Sequence, residues 1–272
     1  MRLRYEVHPV HGVAGTVARH VPRAVTIAVT ASPRRGLDAT LDLTEQLRGE
    51  GFRVVPHLAA RQVASDAHLK DLLGRMAAVD VRETFVIAGD IPEPAGESSD
   101  AASLLARMHE LGHELDQIGI AGYPEGHPFI NDRALLAALH GKRPFATLLV
   151  SQVCFDPATI TRWIGWLRQH GVTLPAHVGI PGPIAHARLL RIARKIGVGE
   201  SARFLRLHAG WLRLLLPRGY CPDRLVEAVL ARSAEPAAAI AGLHFYTFNA
   251  VEEMERWRQR TLLEVDDGIP QH

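Results

Sequence analysis

Eight short apolar runs, each followed by a stretch of helical spacing, recur along the 272 residues, and few folds accommodate that alternation. The runs are LRYEVH (3–8), AVTIAVT (24–30), FRVVPHL (52–58), ETFVIAGD (83–90), QIGIAGY (117–123), ATLLVSQ (146–152), AHVGIPG (176–182) and LHFYTFN (243–249). Several are apolar at consecutive positions, as parallel strands covered on both faces require. Between them lie LDATLDLTEQLRGEG, ASDAHLKDLLGRMAAVD, DAASLLARMHELGHE, NDRALLAALHGK, DPATITRWIGWLRQHG and AHARLLRIARKIG, and VEEMERWRQRTLLEV follows the last run. In the fifth of these Ile160, Trp163, Ile164 and Leu167 share one helical face. Asn131 and Asp156, the latter just before Pro157, are the expected helix starts, and Gly171 and Gly197 the expected stops. The pattern predicts an α/β fold of the (β/α)8 TIM-barrel type, with residues 1–272 as a single domain. A doubly wound open sheet is the alternative, but neither a GxGxxG nor a P-loop motif supports it.

Two segments break the rhythm. VHGVAGTVARHVPR (10–23) is a poor helix by pattern because glycines interrupt it, and about 201–235 holds extra helical matter before the eighth run. At 47% hydrophobic and 22% charged residues the chain is expected to fold. No apolar run reaches the roughly 18 residues of a bilayer span, and MRLRYEVHPV lacks the unbroken apolar core of a secretory signal. These features give the expectation of a cytoplasmic protein without a membrane partner. A net charge of +2 gives no strong pull toward nucleic acid, and the basic cluster RIARK (191–195) is read as a solvated helix face. Cys154 and Cys221 stand far apart, so reduced, buried thiols are expected. The run WLRLLLP (211–217) suits either a homo-oligomer contact or core packing.

One short motif points elsewhere. HELGH (109–113) matches the H-E-x-x-H pattern in which two histidines one helical turn apart hold zinc while the glutamate activates water. A barrel helix, however, packs outside, away from the catalytic end. No xxGxxH follows to supply a third ligand, and Met108 with Leu111 can face the core while His109, Glu110, His113 and Glu114 cover the solvent side. No metal site is therefore expected.

In this fold chemistry sits at the C-terminal strand ends. Glu6 and His8 end the first run, Thr30 the second, His57 the third and Asp90 the fourth. Tyr123, with Glu125 and His127, ends the fifth, Gln152 the sixth, and Thr247 with Asn249 the eighth, while Pro181 and Gly182 let backbone approach a ligand at the seventh. Polar groups recurring at one rim of apolar strands need buried partners or a ligand. Glu6 and Asp90 are expected to converge there, and a carboxyl in an apolar mouth can have a raised pKa and act as a general acid.

At these residues the sequence resembles the methylenetetrahydrofolate reductase family, through YEVHP (5–9), VPHLAAR (55–61), AGDIP (88–92), AGYPEGHP (121–128), SQVCFD (151–156), GIPG (179–182) and HFYTFN (244–249). The resemblance implies a flavin-binding barrel in which a nicotinamide, NADH or NADPH, reduces FAD and the flavin passes hydride to 5,10-methylenetetrahydrofolate, giving 5-methyltetrahydrofolate. It implies that Glu6 is the general acid that opens the imidazolidine ring at N10, that Asp90 lies near pterin and flavin, and that Gln152 orients the folate substrate. Thr30, His57, Tyr123 and His127 match flavin contacts, and Lys142 in HGKRPFA stands near the place of a family lysine.

The chain also departs from the family pattern. Ala88 stands where an arginine precedes the aspartate, Ala31 where an aromatic follows the threonine, and Ala250 where an arginine follows the last motif, and PEPAGESSDAAS lacks a family tyrosine. Anionic pyrophosphate needs cations or free amides. A non-catalytic folate- or flavin-binding relative, and a flavin-independent reductase of a related one-carbon carrier, remain as alternatives.

Overall fold

The computed structural model describes residues 2–127, 129–183 and 220–267, with side chains of the final helix as far as Thr261. Eight strands form a closed, wholly parallel barrel in sequence order: β1 (Arg2–Val7), β2 (Thr26–Val29), β3 (Val54–Ala59), β4 (Glu83–Ile87), β5 (Gln117–Gly122), β6 (Leu148–Ser151), β7 (Ala176–Pro181) and β8 (Ile240–Tyr246). Helices alternate with them: α1 (Val13–His20), α2 (Gly36–Gly49), α3 (Asp66–Ala78), α4 (Ala101–Leu111), α5 (Asp132–Lys142), α6 (Pro157–Gln169), α7 (Asp223–Ser233) and α8 (Val251–Asp267). This is the expected (β/α)8 barrel. Among the described residues no helix is long and apolar enough to cross a membrane.

Local chemistry explains the boundaries. The Asn131 side chain accepts from Ala134 N to start α5, and Asp156 accepts from Ala158 N and Thr159 N to start α6. Gly171, with φ 72°, follows the end of α6. The helix expected over 185–197 with its Gly197 stop, the basic cluster at 191–195 and the apolar run at 211–217 lie outside the described residues. Of the extra helical matter at 201–235, α7 is the described part.

The first expected exception is corrected. Residues 13–20 do form a helix, which neighbours α8: Gly12 enters it at φ 78°, and Val13, Val17 and the capping Val21 are buried at four-residue spacing on one face. Gly15 costs the helix about 1 kcal/mol relative to alanine, whereas burying each valine contributes about 1.5–3 kcal/mol. Cys154 is buried as expected but Cys221 is exposed, and both are free thiols.

Strand alternation divides the core into two clusters. Tyr5, Val7, Ile27, Val29, Leu58 and their neighbours join the helices, whereas Ala28, Val55, Phe85, Leu148 and Val150 form a separate apolar plug inside the barrel. Near the N-terminal strand ends Arg4 pairs with Glu83 at 2.7 Å, with Arg2 and Arg53 approaching the same carboxylate. Space there is tight: a Cβ at Gly242 would lie 2.5 Å from Arg2 O and 2.6 Å from the His177 ring. Gly242→Ala is therefore expected to destabilise the fold by about 2 kcal/mol or more, measured by urea denaturation, because a backbone carbonyl cannot rotate aside.

Candidate active site

Closure of the barrel makes the site. Where β8 returns beside β1, Arg4 pairs in register with His244 and Glu6 with Tyr246. Pleating turns Tyr5 and Val7 toward the helices, where the Tyr5 hydroxyl donates to Glu255 and its ring meets Phe245 edge-on. The alternate residues, Glu6 and His244, face inward. His244 Nε2 lies 3.0 Å from Glu6 Oε2, and His57 Nε2 lies 3.9 Å from the same oxygen. All three are buried, Glu6 at 9% exposure.

The electrostatics correct one expectation. Burial pushes the Glu6 carboxyl up, but the hydrogen bond from His244 and the fields of His57, His244 and His8 carry the net direction below the ordinary value. Burial pushes His57 down to about 4, so near neutral pH its ring is uncharged and the His244 hydrogen bond is the contact that holds the carboxylate. Glu6 Oε1 has no hydrogen-bond partner among the described residues.

Around this centre the rim is tied strand to strand. His8 Nδ1 and Thr30 Oγ1 are 2.9 Å apart, and Thr247 Oγ1 donates to Glu6 O. Asn249 clamps the His8 backbone, accepting from its N–H at 2.8 Å and donating to its carbonyl at 3.2 Å. Phe248 and Asn249 both have positive φ, at 49° and 62°, so the turn after β8 holds strained backbone at the rim.

Across the mouth the Tyr246 hydroxyl has two acceptors in reach, Ser151 O at 3.0 Å and Gln152 Oε1 at 3.3 Å, and Val153 N–H donates to the same Gln152 oxygen at 3.3 Å, so the carboxamide is fixed between them. Burial raises the Tyr246 hydroxyl well above its ordinary value, so it remains a proton-bearing donor. Tyr123 and His127 meet edge-on at 5.1 Å on the loop after β5. Asp90 is exposed beyond β4, after Gly89 at φ 91°, and no hydrogen bond or ion pair among the described residues joins it to Glu6. The structure thus brings together Glu6 with His57, and sets Thr30 and Gln152 on the same rim, but it does not join the two acids.

A cleft of about 530 Å³ begins at Tyr123 and runs between α5 and α6, lined by Lys142, Arg162, Trp163 and Trp166 among others. Lys142 ends α5, about 15 Å along the helix from its Asn131 cap, so it belongs to this cleft rather than to the rim. Burial lowers its pKa, with Asp100 acting in the opposite direction. The lining balances its two cations against two carboxylates, Glu125 and Asp132, and adds two indoles beside the mouth.

Sequence reasoning missed His244 and Tyr246. The signal was available: in LHFYTFN they alternate with apolar Leu243 and Phe245, the period that sends polar groups to one side of a strand. The HELGH motif, by contrast, is not on one helix. α4 ends at Leu111 and Gly112 turns away at φ 79°, leaving His113 beyond the helix, where its Nδ1 accepts from Leu115 N.

Burial also holds His177 down to about 2. A histidine whose folded pKa lies below its unfolded value contributes stability present above about 6.5 and lost as pH falls toward the folded value. The depressed Glu6 acts in the same direction at lower pH. Unfolding free energy measured in urea is therefore expected to fall from pH 6.5 toward pH 4, by about 1.4 kcal/mol for each tenfold preference for a neutral ring. His177→Leu should flatten that slope.

Comparisons with known proteins bear on the family and the fold. The family model for methylenetetrahydrofolate reductase matches residues 14–200, more than half of the chain, leaving β1 and β8 outside the match. A Caenorhabditis elegans protein described as "Probable methylenetetrahydrofolate reductase (NADPH)" is 28% identical over 151 residues, 53% of this chain and 22% of that protein. The chain therefore matches about a fifth of that relative's length. Among solved structures, an uncharacterized protein from Clostridium thermocellum that binds two copies of 5-methyl-5,6,7,8-tetrahydrofolic acid has a TM-score of 0.67 at 7% identity, covering 96% of this chain and 95% of its own. That likeness is one of fold.

Proposed function

This chain belongs to the methylenetetrahydrofolate reductase family, and on that premise we propose that its barrel mouth binds a reduced folate and reduces 5,10-methylenetetrahydrofolate to 5-methyltetrahydrofolate, using NAD(P)H by way of FAD. The observation that carries the reading is the buried Glu6 carboxyl at the mouth, with Oε2 held by His244 and Oε1 without a hydrogen-bond partner among the described residues. The methyltetrahydrofolate bound by the Clostridium thermocellum barrel supports folate as the ligand class. We place the reaction in the cytoplasm.

Glu6 is the group that holds a proton against N10 of the folate. A bound pterin excludes water from the mouth, which pushes the carboxyl up and makes it a proton donor near neutral pH. Gln152, its carboxamide fixed by Tyr246, orients the folate, and Asp90 on the loop above β4 is available to the pterin edge. Thr30, His57, Tyr123 and His127 border the cofactor, while Lys142, Arg162 and Trp166 take its anionic and aromatic tail in the cleft. FAD, when bound, supplies the hydride chemistry, and the chain supplies orientation and electrostatics.

Visible absorption of the protein after incubation with FAD and gel filtration is expected to show a retained flavin band, and Lys142→Ala should weaken retention about tenfold. A protein that stays colourless would move the reading to direct transfer from nicotinamide or to a binding role, as Ala31, Ala88 and Ala250 in place of family side chains favour. Glu6→Gln is expected to lower the rate of folate reduction by about 10²–10⁴ while nicotinamide-driven flavin reduction persists. Unchanged folate turnover in that variant would remove Glu6 from the mechanism.

A further inference from the structure

We propose that His244 is the positioning residue of the Glu6 acid: its Nε2–H holds Glu6 Oε2, so that Oε1 is the oxygen that carries the transferable proton. The proposal rests on the reductase reading for its catalytic consequence, but the hold itself is a property of the protein alone.

The argument is geometric. His244 sits on β8 beside Arg4, one pleat below Glu6, and is 1% exposed with its ring against Tyr246 at 5.1 Å. Its Nε2 is 3.0 Å from Glu6 Oε2, whereas its Nδ1 is buried with no hydrogen-bond partner. A proton on Nδ1 would be a buried, unpaired N–H, and a bare Nδ1 leaves only a weak acceptor unmet. The ring therefore carries its proton on Nε2 and donates it to the carboxylate.

Among the described residues no other titratable neighbour replaces it. His57, from β3, stands 3.9 Å from the same oxygen, beyond hydrogen-bond reach, and is uncharged near neutral pH. His8, in the loop after β1, is engaged with Thr30. The Tyr246 hydroxyl on β8 points to Ser151 and Gln152. Arg4 is paired with Glu83, and His177, from β7, is buried against Gly242.

During turnover the Oε1–H bond breaks as the N10 lone pair takes the proton. The C–N10 electron pair then returns to N10 as the ring opens, and the N5 lone pair forms the iminium. The carboxylate left on Glu6 keeps its hydrogen bond from His244 and regains a proton from solvent.

The test follows Glu6 directly, by the carboxyl carbon resonance of ¹³C-glutamate-labelled protein, assigned by its loss in Glu6→Gln. In His244→Leu burial loses its chief opponent, the His244 hydrogen bond, so Glu6 is expected to become at least about tenfold weaker as an acid, whereas His244→Gln, whose amide can donate, should stay within about threefold of wild type. In folate reduction the alkaline limb of the pH profile should move upward in His244→Leu with kcat reduced more than KM, and His244→Gln should restore both. An unchanged Glu6 titration in the leucine variant overturns the proposal. A glutamine variant that titrates like leucine also overturns it, since the imidazole charge rather than the donor would then matter. The wild-type ¹⁵N-histidine spectrum at pH 8 gives a readout that needs no variant: a proton on Nε2 and a bare Nδ1 are expected, and the reverse tautomer defeats the assignment. Wild-type protein that reduces no folate would sink the reductase reading while these resonances still decided what His244 does.

Discussion

The return of β8 to the side of β1 is the constraint on which the rest depends. In a closed parallel barrel every strand is hydrogen-bonded on both sides, and the register of the closing pair determines which side chains share the interior. Here it places Arg4 beside His244 and Glu6 beside Tyr246, residues some 240 positions apart in the chain. The Glu6–His244 hydrogen bond, the Thr247 bond to Glu6 O and the Asn249 clamp on His8 all cross that one seam. The acid of the site is thus assembled at the fold's last topological step.

Inside the seam the barrel separates its polar groups by an apolar plug. Ala28, Val55, Phe85, Leu148 and Val150 fill the middle, the Arg4–Glu83 pair closes the end where the strands begin, and Glu6, His57 and His244 occupy the end where they finish. Burial penalises charge at both ends, lowering Arg4 as well as His57 and His177. Buried charges persist only with partners, and breaking such a pair costs about 3–5 kcal/mol. The lower arginines pair with Glu83 instead, which leaves the His244 imidazole as the hydrogen-bond donor to the Glu6 carboxylate.

The places where local pattern and structure part company have physical causes. Residues 13–20 form a helix despite Gly15 because Val13, Val17 and Val21 bury one face, a gain that local propensity does not contain. HELGH has the spacing of a zinc helix, yet Gly112 ends α4 between the two histidines. The acids Glu6 and Asp90 both follow strands, but one lies inside the barrel and the other on an exposed loop, so their shared position in the pattern does not become a contact.

By itself the sequence determined the eight strands, their order and the residues that end them, because apolar runs of strand length between amphipathic helices can bury their backbone and both faces in few other ways. It also located Glu6, Thr30, His57 and Gln152 at one rim. Only the tertiary structure decided which groups touch. The His244 donor for Glu6, the Tyr246 hold on Gln152 and the cleft that claims Lys142 depend on register across the closing strands and on helix packing. A protonation preference is set by burial and by partners distant in the chain, and neither is a property of a local stretch of residues.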